Sequence, residues 1–249
     1  MECSKMKRLF ADLHLFPNFK NFEQIKRLIE KASEFGYRLI GIPLPQSYPK
    51  ERIEKLRGFC RELGIDFTSR LDLKPLTTKE LLKSLRKFRR KFELIAVLCT
   101  SKNIARQAAK DHRVDLLNFP LTDPRKRFFD KAEAELASSA SASLEIDIKP
   151  LITLKGFTRI KFISTLRREF TVAKSFQVPI VVSSGVSNEL LMRKPREIVS
   201  LTSLFDMDKN SALKAITENP FKIVTKNREK LKPSFVAPGI RVIRKGKDC

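Results

Sequence analysis

Histidine is nearly missing from this sequence, and other residue types that carry chemistry are also scarce. The 249 residues include two histidines, four cysteines, eight glycines and no tryptophan. The cysteines are scattered, with no CxxC pair and no adjacent histidine, which excludes the usual zinc spacings. Cys60 and Cys99 lie in apolar stretches and are typical of small core residues in a reducing compartment.

Long apolar runs are absent as well. No uninterrupted stretch approaches the length that spans a bilayer, and no apolar signal core follows the first basic residues. The sequence therefore predicts a cytoplasmic protein that has no membrane partner.

Acidic residues do not keep pace with basic ones. The chain has 51 Lys and Arg against 28 Asp and Glu, a formal net charge of +23, and a pI of about 10.1. Residues 79–91, 155–174 and 222–247 together hold 22 basic and 3 acidic residues, so 22 − 3 = 19 of the surplus charges are concentrated there. A thermophile-like surface would bring Glu along with Lys. The pattern favours a polyanionic partner.

Short apolar runs alternate with segments of helical periodicity along most of the chain. Strands are predicted at 8–15, 39–44, 65–73, 94–99, 114–119, 144–148 and 179–183, and helices at 21–35, 50–63, 78–91, 102–111, 124–142, 157–176, 195–205, 208–218 and 220–230. Seven βα units with strands this apolar predict an α/β fold: a TIM-barrel-like parallel sheet surrounded by helices, with extra C-terminal helices.

A doubly wound open sheet is the alternative, but its nucleotide-binding loop is missing. A last strand is hard to find, and 241–243 offers only a short one. We expect one domain over residues 1–243 and a basic, flexible tail over 244–249.

Asp12 and His14 stand at the end of the first predicted strand. Metal-dependent hydrolases of the amidohydrolase and polymerase-and-histidinol-phosphatase kinds begin their metal site there. Carboxylates at candidate strand ends could join them: Asp72, Asp115, Glu145 and Asp147. Such a site would be poor in nitrogen donors, so we predict neither a metal site nor a catalytic set.

Ser183-Ser184-Gly185 after the seventh strand fits either a phosphate loop or a tight turn. His112 and Arg113 precede a strand, so they fit either a helix-terminal histidine or a contact with RNA phosphate.

The segment 79–91 places a stripe of one charge sign along a helix. Leu81, Leu82, Leu85 and Phe88 form the apolar face, whereas Lys79, Lys83, Arg86, Lys87 and Arg90 form the other. Without the Glu–Lys pairs of a self-compensated face, this stripe is suited to a phosphate backbone. Charge of this kind positions a nucleic acid but does not read its sequence.

Several stretches resemble one known family. The stretches are LEIDIKPLI at 144–152 and residues 166–224. The ordered set within the second stretch is Val178-Pro179-Ile180, Ser184-Gly185, Arg193-x-Pro195 and Glu218-Asn219-Pro220. FADLHL, GYRLIGI and VDLLNFP in the first half fit the same pattern. They are similar to archaeal ribonuclease P protein component 3 and its eukaryotic relative, a subunit shared by RNase P and RNase MRP. Val186 and Lys194 depart from the usual motif residues, which affects local loop contacts.

The resemblance implies a TIM-barrel-like subunit of the ribonucleoprotein that removes the 5′ leader of precursor tRNA. In that family the RNA is the catalyst and carries Mg²⁺, so no cofactor is expected on the protein itself. The implied partners are the RNase P RNA, precursor tRNA indirectly, a small ferredoxin-like subunit and other RNase P proteins.

Ten residues are predicted to contact RNA, of which Arg167, Arg168 and Arg193 fall inside the matched block. The full set is Arg70, Lys91, His112, Arg113, Lys155, Arg159, Arg167, Arg168, Arg193 and Lys194. The competing hypothesis is a free-standing metal-dependent phosphoesterase of the polymerase-and-histidinol-phosphatase type, with Asp12 and His14 as ligands.

Overall fold

A parallel barrel of seven strands forms the centre of the protein. The computed structural model describes residues 9–120, 127–237 and 240–242; the predicted tail at 244–249 lies outside them. The strands are β1 (Phe10–Asp12), β2 (Tyr37–Pro43), β3 (Asp66–Leu73), β4 (Leu94–Leu98), β5 (Leu116–Asn118), β6 (Ser143–Asp147) and β7 (Ile180–Ser183). Each pairs with its sequence neighbours, in parallel, and this confirms the predicted TIM-barrel-like fold.

The barrel closes between β1 and β7 without an eighth strand. The Gly185 amide donates to the His14 carbonyl at 3.0 Å, and the Phe16 amide donates to the Val186 carbonyl at 2.8 Å. A carboxylate oxygen of Asp12 accepts from the Ser184 amide at 3.0 Å. These bonds pair the edge groups that an open sheet would leave exposed.

The short last strand expected at 241–243 does not join the barrel. Instead β8 (Phe235–Ala237) pairs antiparallel with β9 (Ile240–Arg241) in a separate two-stranded sheet. Only two residues lie between these strands, so the chain reverses direction locally and cannot supply a parallel barrel strand.

Ten helices surround the strands within the described residues. They are α1 (Phe22–Glu34), α2 (Lys50–Glu62), α3 (Thr78–Phe88), α4 (Lys102–Ala109), α5 (Lys131–Ala140), α6 (Lys149–Thr153), α7 (Gly156–Ser175), α8 (Pro195–Thr202), α9 (Lys209–Ile216) and α10 (Glu218–Leu231). No helix among these residues combines the length and the apolarity that crossing a membrane requires.

Helix boundaries follow local capping. The helix expected from residue 124 begins at Lys131 because Asp130 and Glu133 form a capping box. The short helix α6 was not predicted, although Pro150 in its first turn is a typical helix start.

One end of the barrel is apolar and covered. Val224 of α10 packs against barrel-interior side chains, among them Leu39, Leu94 and Leu116 near the starts of their strands. Arg228 of the same helix donates two hydrogen bonds to Asp66 at the start of β3. Helix α10 therefore closes the amino end of the barrel and leaves the carboxyl end for polar side chains.

Gly41 allows β1 and β2 to approach closely, so we expect Gly41→Ala to destabilise the barrel. A methyl group there would lie 2.5 Å from the Leu13 carbonyl oxygen, a backbone atom that cannot rotate away. Overpacking of this kind costs about 1–3 kcal/mol, measurable by denaturant unfolding. The control is Gly58→Ala in the middle of α2, where a methyl group meets nothing within 4 Å and should stabilise by about 0.5–1 kcal/mol. Wild-type stability for Gly41→Ala would contradict the described packing.

Candidate functional site

Seven polar side chains fill the carboxyl end of the barrel interior. This barrel-mouth cluster consists of His14, Arg70, Asp72, Asn118, Glu145, Asp147 and Ser183. Residues two apart on a strand face the same side, which brings Arg70 and Asp72 of β3 and Glu145 and Asp147 of β6 into one interior. Both faces of these strands are buried, so the cluster is enclosed by apolar layers.

Arg70 lies at the centre of the cluster and is fully buried. Its two terminal nitrogens donate to both Glu145 oxygens, at 2.6 and 2.7 Å. Its Nε donates to Asp72 at 2.6 Å, and one terminal nitrogen also donates to the Leu13 carbonyl at 2.8 Å. The guanidinium thus links β3 to β6 and to the end of β1. The prediction that Arg70 contacts RNA is wrong for this fold, because no part of its side chain reaches the surface.

The other members of the cluster supply hydrogen bonds and ion pairs to its carboxylates. Asn118 donates to Glu145 at 2.8 Å and to Asp147 at 3.0 Å. Ser183 donates its hydroxyl hydrogen to Glu145 at 2.9 Å. His14 lies with Nδ1 2.9 Å from Asp147 and Nε2 3.2 Å from Asp72. The imidazole therefore bridges two carboxylates from different strands.

The charges of the cluster hold one another in the ionised state. Burial and the Arg70 charge lower the pKa of His14, but Asp147 and Asp72 outweigh them and raise it to about 10. Burial raises the pKa of the Asp72 carboxyl, but the Arg70 and His14 charges outweigh it and hold that pKa well below its ordinary value. At neutral pH the interior is a network of ion pairs, which is the arrangement that buried charges require.

Two other predicted metal-ligand candidates lie outside the cluster. Asp12 sits at the β1–β7 junction, where one carboxylate oxygen accepts from the backbone amides of His14 and Ser184. Asp115 precedes β5 and pairs with Arg89 at 2.5 Å, away from the carboxyl end. A metal ion could meet one ligand atom each from His14, Glu145 and Asp147, since these atoms lie within 4.8 Å of one another.

The loop after β7 is a closing turn rather than a phosphate loop. The amides of Ser184 and Gly185 already donate to Asp12 and His14, and the Ser183 hydroxyl donates to Glu145. Gly185 has a φ of +63°, and a methyl group there would lie 2.8 Å from Asp147. No amide of these two residues is left to bind an anion.

The other predicted RNA contacts lie on the outside of the barrel. Lys91 follows α3, and Lys155, Arg159 and Arg168 lie at or on α7; all four are exposed and pair with no described acidic residue. Arg167 on the same helix pairs with Asp206 at 3.1 Å.

Arg113, His112, Arg193 and Lys194 have local partners instead. Arg113 pairs with Asp111 at 2.6 Å, and His112 lies 3.1 Å from the Ala140 carbonyl oxygen. Arg193 donates to the carbonyl oxygens of Leu190 and Met192. The Lys194 ammonium lies 5.7 Å from the centre of the Phe35 ring. The structure therefore groups the candidates on α7 and leaves these four on other surfaces.

A basic cleft between α5 and α7 was not predicted from the sequence. It has a volume of about 810 Å³, and its charged lining includes Lys102, Lys131, Lys161 and Arg168. Of these, Lys102 pairs with Asp130 at 3.3 Å. Lys102 and Lys131 are the first residues of α4 and α5. The sequence does not show that they line one cleft with α7, because this depends on the order of the helices around the barrel.

The ion pairs of His14 predict a loss of stability at alkaline pH. Its pKa is about 10 in the folded protein and about 6.5 in an unfolded chain. The stabilisation is therefore complete below about pH 6.5 and is lost as the pH rises towards 10. We expect the difference in unfolding free energy between wild type and His14→Asn to shrink over this range in denaturant titrations. His112→Asn, which removes an exposed imidazole, controls for the substitution itself. A constant difference for His14→Asn would contradict the ion pairing.

Comparisons with solved structures place this barrel in a known architecture. A chain in the cryo-EM structure of archaeal Ribonuclease P with mature tRNA superposes with a TM-score of 0.81, at 23% identity, over 95% of this chain and 99% of that one. An amidohydrolase superposes with a TM-score of 0.57 at 10% identity, over 94% of this chain and 77% of that one. At these identities the likeness concerns the fold.

Sequence relatives are more specific. The profile of the family described as RNase P subunit p30 matches residues 10–232. The Ribonuclease P protein component 3 of Methanococcoides burtonii is 30% identical over 238 residues, which cover 95% of each chain. The resemblance seen in the sequence motifs is therefore confirmed, and the chain belongs to the RNase P subunit p30 family.

Proposed function

We propose that this chain, a ribonuclease P protein subunit by its family, binds and orders the RNA of the ribonucleoprotein that removes the 5′ leader of precursor tRNA. Bond cleavage is left to the RNA and its Mg²⁺. The observation that carries the proposal is the family match over residues 10–232. The surface charge and the occupied barrel interior support it independently.

Helix α3 offers cations that the protein itself does not neutralise. Lys83 and Arg86 on the helix, and Arg90 two residues beyond its end, are exposed and pair with no acidic residue in the described ranges. Helix α1 differs, because Lys26 pairs with Glu23 at 3.0 Å and Lys31 with Glu34 at 2.9 Å. An RNA backbone would supply α3 with the anions that α1 already has.

Helix α7 and the basic cleft beside it form a second contact region. Lys155 and Arg159 are exposed at its first turns, and Lys161 and Arg168 line the cleft. The aromatic ring of Phe157 is also exposed, with the Lys161 ammonium 4.5 Å from its centre. Exposed aromatic and cationic groups together are suited to stacking with unpaired bases as well as to phosphate contacts.

The barrel interior supports a non-catalytic role for the isolated protein. A phosphoesterase would need an open metal position at the carboxyl end, whereas Arg70 fills that position and uses both oxygens of Glu145. This weighs against the free-standing phosphoesterase. We further propose that the chain assembles with a small ferredoxin-like subunit and other RNase P proteins, and that it works in the cytoplasm.

Loss of the α3 stripe should weaken RNA binding and reduce its salt dependence. We expect the triple variant Lys83→Ala/Arg86→Ala/Arg90→Ala to lower the slope of log affinity against log salt by about 2–3, since each phosphate contact contributes about 0.7–0.9. Filter binding to the RNase P RNA over a salt series measures this. The matched control is Lys26→Ala/Arg27→Ala/Lys31→Ala on α1, which removes the same charge from a compensated face. Equal losses for both variants would refute the assignment of α3.

The isolated chain should cleave no precursor tRNA with any divalent metal. Added to the RNase P RNA and the other protein subunits, it should restore 5′ processing. Both reactions are followed by gel analysis of labelled precursor tRNA. Metal-dependent turnover by the protein alone, abolished by His14→Ala, would instead establish the phosphoesterase.

A further inference from the structure

The barrel-mouth cluster has the composition of a metal site but contains a guanidinium at its centre. Three carboxylates and one imidazole converge there from β1, β3 and β6. In parallel barrels the carboxyl ends of the strands are the usual place for such ligands. Arg70 donates to Asp72, to both oxygens of Glu145 and to the Leu13 carbonyl.

The geometry of the surrounding ligands is close to what a single ion needs. One ligand atom each of His14, Glu145 and Asp147 lies within 4.8 Å of the others. Ligands bound at about 2.0–2.2 Å from a common ion lie at most about 4.4 Å apart, so a small closure would suffice. The Nε2 atom of His14 is buried and donates no hydrogen bond to a described residue, although it lies 3.2 Å from Asp72. One imidazole with several carboxylates is a ligand set that suits Zn²⁺, Mn²⁺ or Fe²⁺.

The charge count explains why the ion and the guanidinium exclude each other. Asp72, Glu145 and Asp147 contribute −3, and Arg70 and protonated His14 contribute +2, which leaves −1 in the cluster. A dication beside the guanidinium would meet strong repulsion in a medium of low dielectric constant. Without Arg70, His14 would bind the ion as a neutral imidazole, so the three carboxylates and one dication would give −3 + 2 = −1, the same net charge as the cluster has with Arg70. The Arg70 guanidinium and a bound dication therefore cannot occupy the cluster at the same time.

We propose that the guanidinium of Arg70 is a built-in cation that takes the place of a divalent metal ion among His14, Asp72, Glu145 and Asp147. A chain that lacks this guanidinium binds such an ion in the same position. The barrel thus has three clustered ligands for a metal, with Asp72 beside His14, and a side chain that permanently replaces the metal. This inference rests on the barrel interior and stands apart from the RNA-binding surface.

The test is metal binding by Arg70→Ala, with Mn²⁺ and Zn²⁺ as probes. Equilibrium dialysis with metal analysis should find one tightly bound equivalent per chain in the variant. The wild type should bind at least tenfold more weakly. Thermal unfolding should show that the variant is less stable than wild type without metal and regains stability when the metal is added. Adding Glu145→Gln and Asp147→Asn to Arg70→Ala should abolish both effects.

A second buried arginine supplies the control. Arg127 donates to both oxygens of Glu169, at 2.9 and 2.6 Å, outside the cluster. Arg127→Ala therefore also loses a buried guanidinium, but metal should not restore its stability. Equal rescue of Arg127→Ala, or equally tight binding by wild type, would overturn the proposal.

Folding of the variants is itself informative. Arg70→Gln keeps more of the side-chain volume and serves if Arg70→Ala is unstable, and both are refolded with and without metal. A folded variant that binds no ion contradicts the proposal. Failure of both variants to fold even with metal present also contradicts it, because the ion would then not replace the cation. RNA binding through α3 is measured separately, so loss of the RNA-binding function is distinguishable from either outcome.

Discussion

The ion pair between Arg70 and Glu145 is the constraint on which the barrel interior depends. Both side chains are buried, and transferring two charges out of water costs several kcal/mol for each. That cost is offset only by complete pairing, which the bidentate geometry and the bonds from Asn118 and Ser183 provide. Because the partners come from β3, β5, β6 and β7, the network fixes strands on both sides of the barrel relative to one another. Removing one member leaves an uncompensated charge rather than merely one fewer contact.

The same network determines where the protein can act. Among the described residues, α10 covers the amino end of the barrel, and paired charges fill the interior at the carboxyl end. In the proposed function RNA binds to the outer helices, which a barrel holds in fixed relative positions. Helices α3 and α7 each present several cations that have no acidic partner in the described ranges, whereas Lys26 and Lys31 of α1 pair with acidic residues of their own helix. A rigid scaffold with such a surface is suited to ordering RNA through contacts with its phosphate backbone.

Most of the fold was predictable because seven apolar runs alternate with helical periodicity, and all seven strands and nine of the helices were anticipated. The barrel-mouth cluster was harder to predict from the sequence. Strand β3 reads DFTSRLDL, and since parallel strands are buried on both faces, the pattern does not show that Arg70 faces inward with Asp72. A lone arginine in an apolar strand, two residues before an aspartate, was the available signal. The antiparallel β8–β9 pair was missed because strands of two or three residues are too short to show a period. Asp115 was misplaced because a carboxylate next to a strand can lie at either end of it.

The surplus positive charge lies at the surface because the buried charges are paired with one another. In the interior, Arg70 pairs with Asp72 and Glu145, and Arg127 pairs with Glu169. These buried ion pairs therefore contain at least as many acidic residues as basic ones. None of the net charge of +23 can therefore lie in the interior, because burying an unpaired cation would have too high a desolvation cost. Every arginine that goes inside takes a carboxylate away from the surface, and the surplus outside grows or stays the same. The pairing of buried arginines with carboxylates thus stabilises the core, and it also leaves the unpaired cations on the outer helices, where RNA can contact them.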